Sequence, residues 1–330
     1  MDAALPLVFL GLMGLAMLAY VVLDGYDLGV GLLLLHADAP QKDRMIASIG
    51  PFWDANETWL VLGVGLLLIA FPRAHGVILG ALYLPVAAML IGLILRGVAF
   101  DFRVKAHDEH KRIWDFAFWF GSLLASLAQG FMLGQYILGF RSDAAALLFA
   151  ACIAFALCAG YALLGATWLI MKVDDELVGR ALRWAQRALW LTGLGIALVS
   201  IVTPAVSPRI FAKWFSLPNL LLLLPIPALT ALAFAWCDSA LRRMGRGDHA
   251  KPWAPFLGAV VMFVLAFAGL AYSLFPYLVI DRITVWDAAA APVALKFIGI
   301  GALITLPVIV GYTIVAYRVF WGRSTELNYL

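Results

Sequence analysis

Charge is scarce in this chain. Lys, Arg, Asp and Glu make up 13% of its 330 residues and hydrophobic side chains 64%, about half the charge of an ordinary soluble domain, which excludes a water-soluble globule. Cysteine is nearly absent. Cys152, Cys158 and Cys237 form no CxxC pair and sit in apolar runs, so no disulfide or zinc framework is expected and the three read as small buried hydrophobes. Histidine is missing from the middle of those runs. His36, His75, His107, His110 and His249 fall in loops or at run ends, whereas a membrane haem protein needs axial ligands, usually His or Met, at depth. Met13, Met17 and Met89 lie inside runs but singly, as core filler, so the chain is expected to bind no haem itself. His107-Asp108-Glu109-His110 has the look of a metal pair but lies in a solvated basic loop, and no metal is expected there. Basic residues form no tract despite the net charge of +3, which excludes nucleic acid as a partner.

What the chain has is apolar length. Nine runs are separated by charge, roughly 5–35, 54–71, 76–100, 114–138, 144–171, 184–206, 218–240, 253–277 and 291–320. A bilayer core about 30 Å thick takes about 20 apolar residues per helix. The expected fold is therefore an all-α polytopic membrane protein of nine transmembrane helices, one integral membrane domain over 1–330. The first run opens with Met1-Asp2 and lacks a basic leader, which predicts an uncleaved span. Sixteen Lys and Arg, from Lys42 to Arg323, fall in alternate connecting segments, and five in the intervening ones. The positive-inside rule then places the N-terminus outside and the C-terminus in the cytoplasm, which independently requires an odd number of spans.

A repeat is also legible. Tyr20-Val21-Val22-Leu23 in span 1 matches Tyr161-Ala162-Leu163-Leu164 in span 5, and Trp53 with Trp59-Leu60 matches Trp184 with Trp190-Leu191. Spans 1 and 5 run in one direction, so a duplication would give two parallel four-helix bundles, about 1–140 and 141–280, with an extra helix at about 291–320.

The few charges left inside spans gather in the first three. Asp24 and Asp27 lie in span 1, Trp53, Asp54, Asn56 and Glu57 open span 2, and Arg96 closes span 3. The expected topology sets all of them in the cytoplasmic third, and the i,i+3 spacing puts each acid pair on one helix face. A charge deep in a span costs roughly 2.5–3.5 kcal/mol on insertion scales, against about 0.3–0.6 kcal/mol gained per apolar residue. An acid escapes part of that cost by holding a proton, by pairing with Arg96 or by facing water, which are the properties of a proton path. The plainer reading is that Asp54 and Glu57 only charge the N-terminus of span 2. The second copy has Leu164-Gly165-Ala166-Thr167-Trp168 and Trp184-Ala185-Gln186-Arg187 at the matching stretches, so the fold does not depend on these acids.

The blocks LDGYDLGVG (23–31), GPFWDANETWL (50–60), LILRGVAFDFR (93–103), SLFPYL (273–278), ITVWDAA (283–289) and the Pro307 to Tyr312 run resemble subunit II of the cytochrome bd quinol oxidases, including the cyanide-insensitive members. Order and spacing match from the first span to the last. The resemblance implies a bacterial inner-membrane complex that oxidises quinol, reduces dioxygen to water and takes protons from the cytoplasm. It also implies haems b and d in a partner subunit I, with no cofactor and no catalytic residue in this chain. Subunit I, membrane lipids, a small accessory subunit and quinol as the substrate of the complex are the partners in view. A structural quinone is held by some members, though no motif here marks one. By the same resemblance Asp27, Asp54 and Arg96 belong to a hydrophilic route towards the haems, with Trp53, Asn56 and Glu57 alongside. Glu57 departs from relatives that carry Gln at this position. Two rival readings stand beside this one. One is a secondary transporter on a parallel four-helix repeat; the other is an assembly scaffold in which Asp24, Asp27 and Arg96 only lock the first three helices.

Overall fold

Without water, a chain this apolar can satisfy its backbone N–H and C=O groups along its own length only as a helix. In the computed structural model, which describes residues 4–173 and 176–322, it does so almost throughout. Met1 and Asp2, at the head of the first apolar run, and Arg323, one of the sixteen basic residues, lie outside the described residues. The elements are α1 (Leu5–Leu33), α2 (Ala39–Ile49), α3 (Trp53–Ala70), α4 (Pro72–Lys105), α5 (Asp108–Ile137), α6 (Ala144–Lys172), α7 (Glu176–Val206), α8 (Pro208–Trp214), α9 (Asn219–Leu223), α10 (Pro225–Gly245), α11 (Ala254–Leu274), β1 (Tyr277–Val279), β2 (Ile283–Thr284), α12 (Val285–Ala288) and α13 (Pro292–Val319).

Among the described residues, nine helical segments are long and apolar enough to cross a membrane, and they coincide with the nine runs. The helices outlast the runs where charge begins. α4 continues through Arg103 to Lys105, and α7 starts at Glu176, before its apolar run. Hydropathy marks the edge of the apolar layer, whereas backbone hydrogen bonding carries the helix beyond it. The connections hold structure that hydropathy does not signal: the short helix α2 with an Asp38/Gln41 capping box, and the antiparallel pair β1–β2 followed by α12.

α1 sits at the centre, packed on α3, α5 and α6, while α4 packs on α5, α6 on α7, and α13 on α3. The α1–α6 contact is backbone to backbone. A Cβ on Gly29 would fall 1.8 Å from the Tyr161 carbonyl oxygen, and one on Gly165 would fall 2.3 Å from the Gly29 carbonyl carbon. Small residues of this kind let membrane helices approach closely.

At the start of α6 the Asp143 carboxylate accepts from the Ala146 backbone N–H at 3.2 Å and from Arg141 Nε at 2.8 Å. The backbone hydrogen bond, then Arg141, holds this carboxyl below the usual range. A depressed folded-state pKa gives stability that is present above the unfolded value and lost as pH falls through the folded one. Asp143→Ala should therefore lower the thermal midpoint slightly at neutral pH, and the difference from the parent should vanish in acid. Paired melting curves at the two pH values check this.

Candidate functional site

Asp24 and Asp27, three residues apart on α1, meet α3 and α4 where polar side chains from each converge. α4 reaches this point through a close contact with α5, in which a Cβ on Gly121 would lie 2.6 Å from the Gly92 carbonyl oxygen and 2.8 Å from the Arg96 backbone nitrogen. Arg96 Nη2 donates to Asp24 Oδ1 at 2.6 Å and also to the Glu57 carboxylate. One helical turn along α1, Asn56 Nδ2 donates to Asp27 Oδ2 at 2.8 Å, to the Tyr26 hydroxyl at 2.9 Å and to the Leu23 carbonyl at 3.2 Å. Asp24, Asp27 and Asn56 are fully buried and Arg96 is 2% exposed, so bulk water does not solvate these groups directly. Asp24 Oδ2, Asp27 Oδ1, Arg96 Nε and Arg96 Nη1 have no hydrogen-bond partner among the described residues. Three carboxyl groups thus face one guanidinium, with hydrogen-bonding capacity still open on both sides of the ion pair.

Five of the seven residues expected from the sequence meet here: Asp24, Asp27, Asn56, Glu57 and Arg96. Trp53 borders them, half-buried, its ring 5.3 Å from that of Phe100 and beside Arg96 with Ile49 and Phe118. Asp54 stands apart. It is exposed in the first turn of α3 and makes no hydrogen bond or ion pair with another described residue, a position where the helix dipole favours a negative charge. Glu57, one turn further in and 30% exposed, is the acid of that pair that reaches Arg96.

Hydroxyls and an amide that the sequence does not single out as site residues surround the acids. The Tyr317 hydroxyl, from α13, donates to Asn56 Oδ1 at 3.2 Å and lies 2.6 Å from the Tyr26 hydroxyl. One turn from Asp24 on α1, the Tyr20 hydroxyl accepts from Gln129 Nε2 at 2.8 Å, and Gln129 Oε1 accepts from the Tyr161 hydroxyl at 2.6 Å. In the sequence Tyr20 and Tyr161 stand out only as heads of the repeated blocks, because tyrosine is ordinary in apolar runs and nothing but its depth in a span marks its hydroxyl as polar machinery.

Arg103 and Lys172, two of the sixteen basic residues that fall in alternate connecting segments of the sequence, are buried. Arg103 donates to Asp115 at 2.5 Å and to Asp43 at 2.7 Å, and Lys42 reaches the other oxygen of Asp115 at 3.0 Å, tying α2 to α4 and α5. Lys172, at the end of α6, donates to the carbonyl oxygens of Phe320, Trp321 and Gly322 at 2.8, 2.9 and 3.0 Å.

His36, His107, His110 and His249 are exposed and His75 is half-buried in the first turn of α4, so the described histidines form no pair at the depth where a membrane haem takes its ligands.

The model of the cytochrome bd terminal oxidase subunit II family matches residues 5–320. The cytochrome bd ubiquinol oxidase subunit 2 of Bacillus subtilis (strain 168) is 27% identical over 342 residues, covering 96% of this chain and 95% of that protein. The cytochrome bd-I ubiquinol oxidase subunit 2 of Escherichia coli (strain K12) is 27% identical over 362 residues, covering 96% and 94%. The fold is similar to that of a chain in the bd oxidase structure from Geobacillus thermodenitrificans, with a TM-score of 0.78 at 18% identity, covering 96% of this chain and 98% of that one. With a family match running from the first membrane helix to the last, this chain belongs to the cytochrome bd terminal oxidase subunit II family.

Proposed function

We propose that the chain is the haem-free second subunit of a quinol:oxygen oxidoreductase in a bacterial inner membrane, where it braces a haem-bearing subunit I and carries protons inward from the cytoplasmic side. Membership of the subunit II family and the names of its relatives, which are ubiquinol oxidase subunits, support the oxidase reading. The proton path rests on one observation: a cluster of three carboxyls and one guanidinium, buried except for Glu57 at its edge, in which four polar atoms have no partner among the described residues. Buried polar atoms are normally satisfied by protein or ordered water, so this cluster suits water bridges between its acids.

The charge count supports the same reading. One guanidinium balances one carboxylate, and the remaining acids, Asp27 enclosed in a low-dielectric bundle and Glu57 at its edge, are balanced by protons or hydration. With the N-terminus outside, Asp54 at the exposed edge of α3 is the point of entrance, Glu57 the next acid inward, and Asp24 and Asp27 the buried stations. Arg96 holds the carboxylate of Asp24 in place without itself giving up a proton. The apolar surface of the bundle leaves dioxygen a lateral approach. The parallel repeat is part of this proposal, supported by the α1–α6 contact and by Gln129, which bonds to both Tyr20 and Tyr161, the two residues that head the matching sequence blocks.

An affinity-tagged copy of this chain, expressed with its native partners and extracted in mild detergent, should co-purify with a haem-bearing polypeptide and show its visible spectrum. A chain that purifies alone, colourless, and binds solute would decide for a transporter.

A further inference from the structure

α13 is the most exposed of the long helices, with Phe297, Leu303, Val308 and Ile314 all more than half exposed. At its far end this changes. Tyr317 turns into the bundle, its ring 4.7 Å from Phe52 and its hydroxyl in the hydrogen-bond set of Asn56. Those hydrogen bonds close a ring. Asn56 Nδ2 donates to the Tyr26 hydroxyl, and the Tyr317 hydroxyl donates to Asn56 Oδ1. Each hydroxyl has a single proton, and that of Tyr317 is committed to Asn56. The 2.6 Å contact between the two tyrosines is therefore a donation from Tyr26 to Tyr317. The ring engages the carbonyl oxygen of Asn56 on one side, so its amide nitrogen faces Asp27 on the other.

The end of α13 is fastened separately. Lys172 Nζ occupies the three carbonyl oxygens that follow Val319, with the rings of Phe52, Trp168 and Trp321 at 5.1, 5.0 and 5.9 Å. An ammonium group supplies donors to carbonyl oxygens at the end of a helix, where a positive charge is favoured. A continuous line of contacts runs from Lys172 on α6, through the end of α13, to Tyr317, Asn56 and Asp27.

We propose that Tyr317 is a positioning residue for the proton route: with Tyr26 it holds the Asn56 amide so that its nitrogen faces Asp27, and Lys172 latches α13 in the register this requires. The proposal rests on the proton-path reading and gives the ninth helix a task within it. Removing the Tyr317 hydroxyl leaves Asn56 Oδ1 without its donor and Tyr26 without its acceptor, and the amide is then free to turn its oxygen towards Asp27. Replacing Lys172 by Met releases the end of α13 and should act on the same amide from a distance.

The test compares Asp27→Asn, Tyr317→Phe, Tyr26→Phe, Lys172→Met and the Tyr317→Phe/Lys172→Met double variant in the assembled complex, measuring turnover, haem content and the solvent isotope effect on turnover. Tyr317→Phe and Tyr26→Phe should each lower turnover about threefold to tenfold, roughly the worth of one net hydrogen bond, with a raised isotope effect and parental haem content. Lys172→Met should do the same, and the double variant should be no slower than the slower single one, because the two act through one amide. A loss of haem in proportion to activity, with the isotope effect unchanged, would mean a merely structural role and overturn the proposal. If Asp27→Asn is slow while Tyr317→Phe and Tyr26→Phe turn over at the parental rate, the positioning role is wrong and the route stands. If Asp27→Asn also runs at the parental rate, the route itself is wrong and the proposal falls with it. Effects of Tyr317→Phe and Lys172→Met that multiply would refute the latch.

Discussion

Asp27→Asn should lower the turnover of the assembled oxidase about tenfold or more while haem content stays at the parental level. Asparagine is nearly the same size as aspartate, and its carbonyl oxygen can still accept the hydrogen bond from Asn56 Nδ2. The variant should therefore assemble. What it lacks is a group that can take up and release a proton at the oxygen left open in the parent, Asp27 Oδ1. A positioned acid or base contributes roughly 10²–10⁴-fold to a proton-transfer step, and part of that loss stays hidden wherever another step limits turnover. Asp54→Asn should have a smaller effect, because Asp54 is exposed and solvent water can stand in for it at the edge of the route.

Arg96→Met should destabilise the fold by about 3–5 kcal/mol, the cost of leaving buried charges without their partner. Arg96 is the cation bonded to both Asp24 and Glu57, and it is 2% exposed beside a fully buried Asp24. The lost charge leaves Asp24 with no ion-pair partner among the described residues. Adding Asp24→Asn to Arg96→Met should recover part of the loss, because the double variant no longer buries an unpaired carboxylate. The coupling between the two sites can be read as a double-mutant cycle from thermal midpoints of the purified complex. Equal midpoints for parent and Arg96→Met would show that the cluster is already solvated enough to do without its cation.

Much of this was open to reading from residues alone, for physical reasons that also explain what was not. The nine spans stand out because the apolar layer demands long uninterrupted runs. Asp24, Asp27 and Arg96 stand out because a charge in such a run is costly and therefore conspicuous. Helical spacing placed Asp54 and Glu57 on one face, but it could not say that the bundle edge falls between them, leaving Asp54 outside and Glu57 on Arg96. Lys172 has the sequence setting of a loop charge, because the composition of its surroundings does not reveal that three carbonyls at the end of α13 surround it. Tyr317 and Asn56 are 261 residues apart, and no local pattern encodes which helix ends meet. The short helix α2 and the β1–β2 pair escaped notice because they are neither long nor strongly apolar.

Proton uptake by the complex in sealed vesicles, followed with a pH-sensitive dye on the side exposing the basic-rich loops, tests the proposed route most directly. When oxygen is added to the quinol-reduced complex, the parent should take up protons from that side. Asp27→Asn should take them up more slowly, in step with its turnover and with its haems intact. Uptake by Asp27→Asn at the parental rate and from the same side would contradict a proton route through this chain.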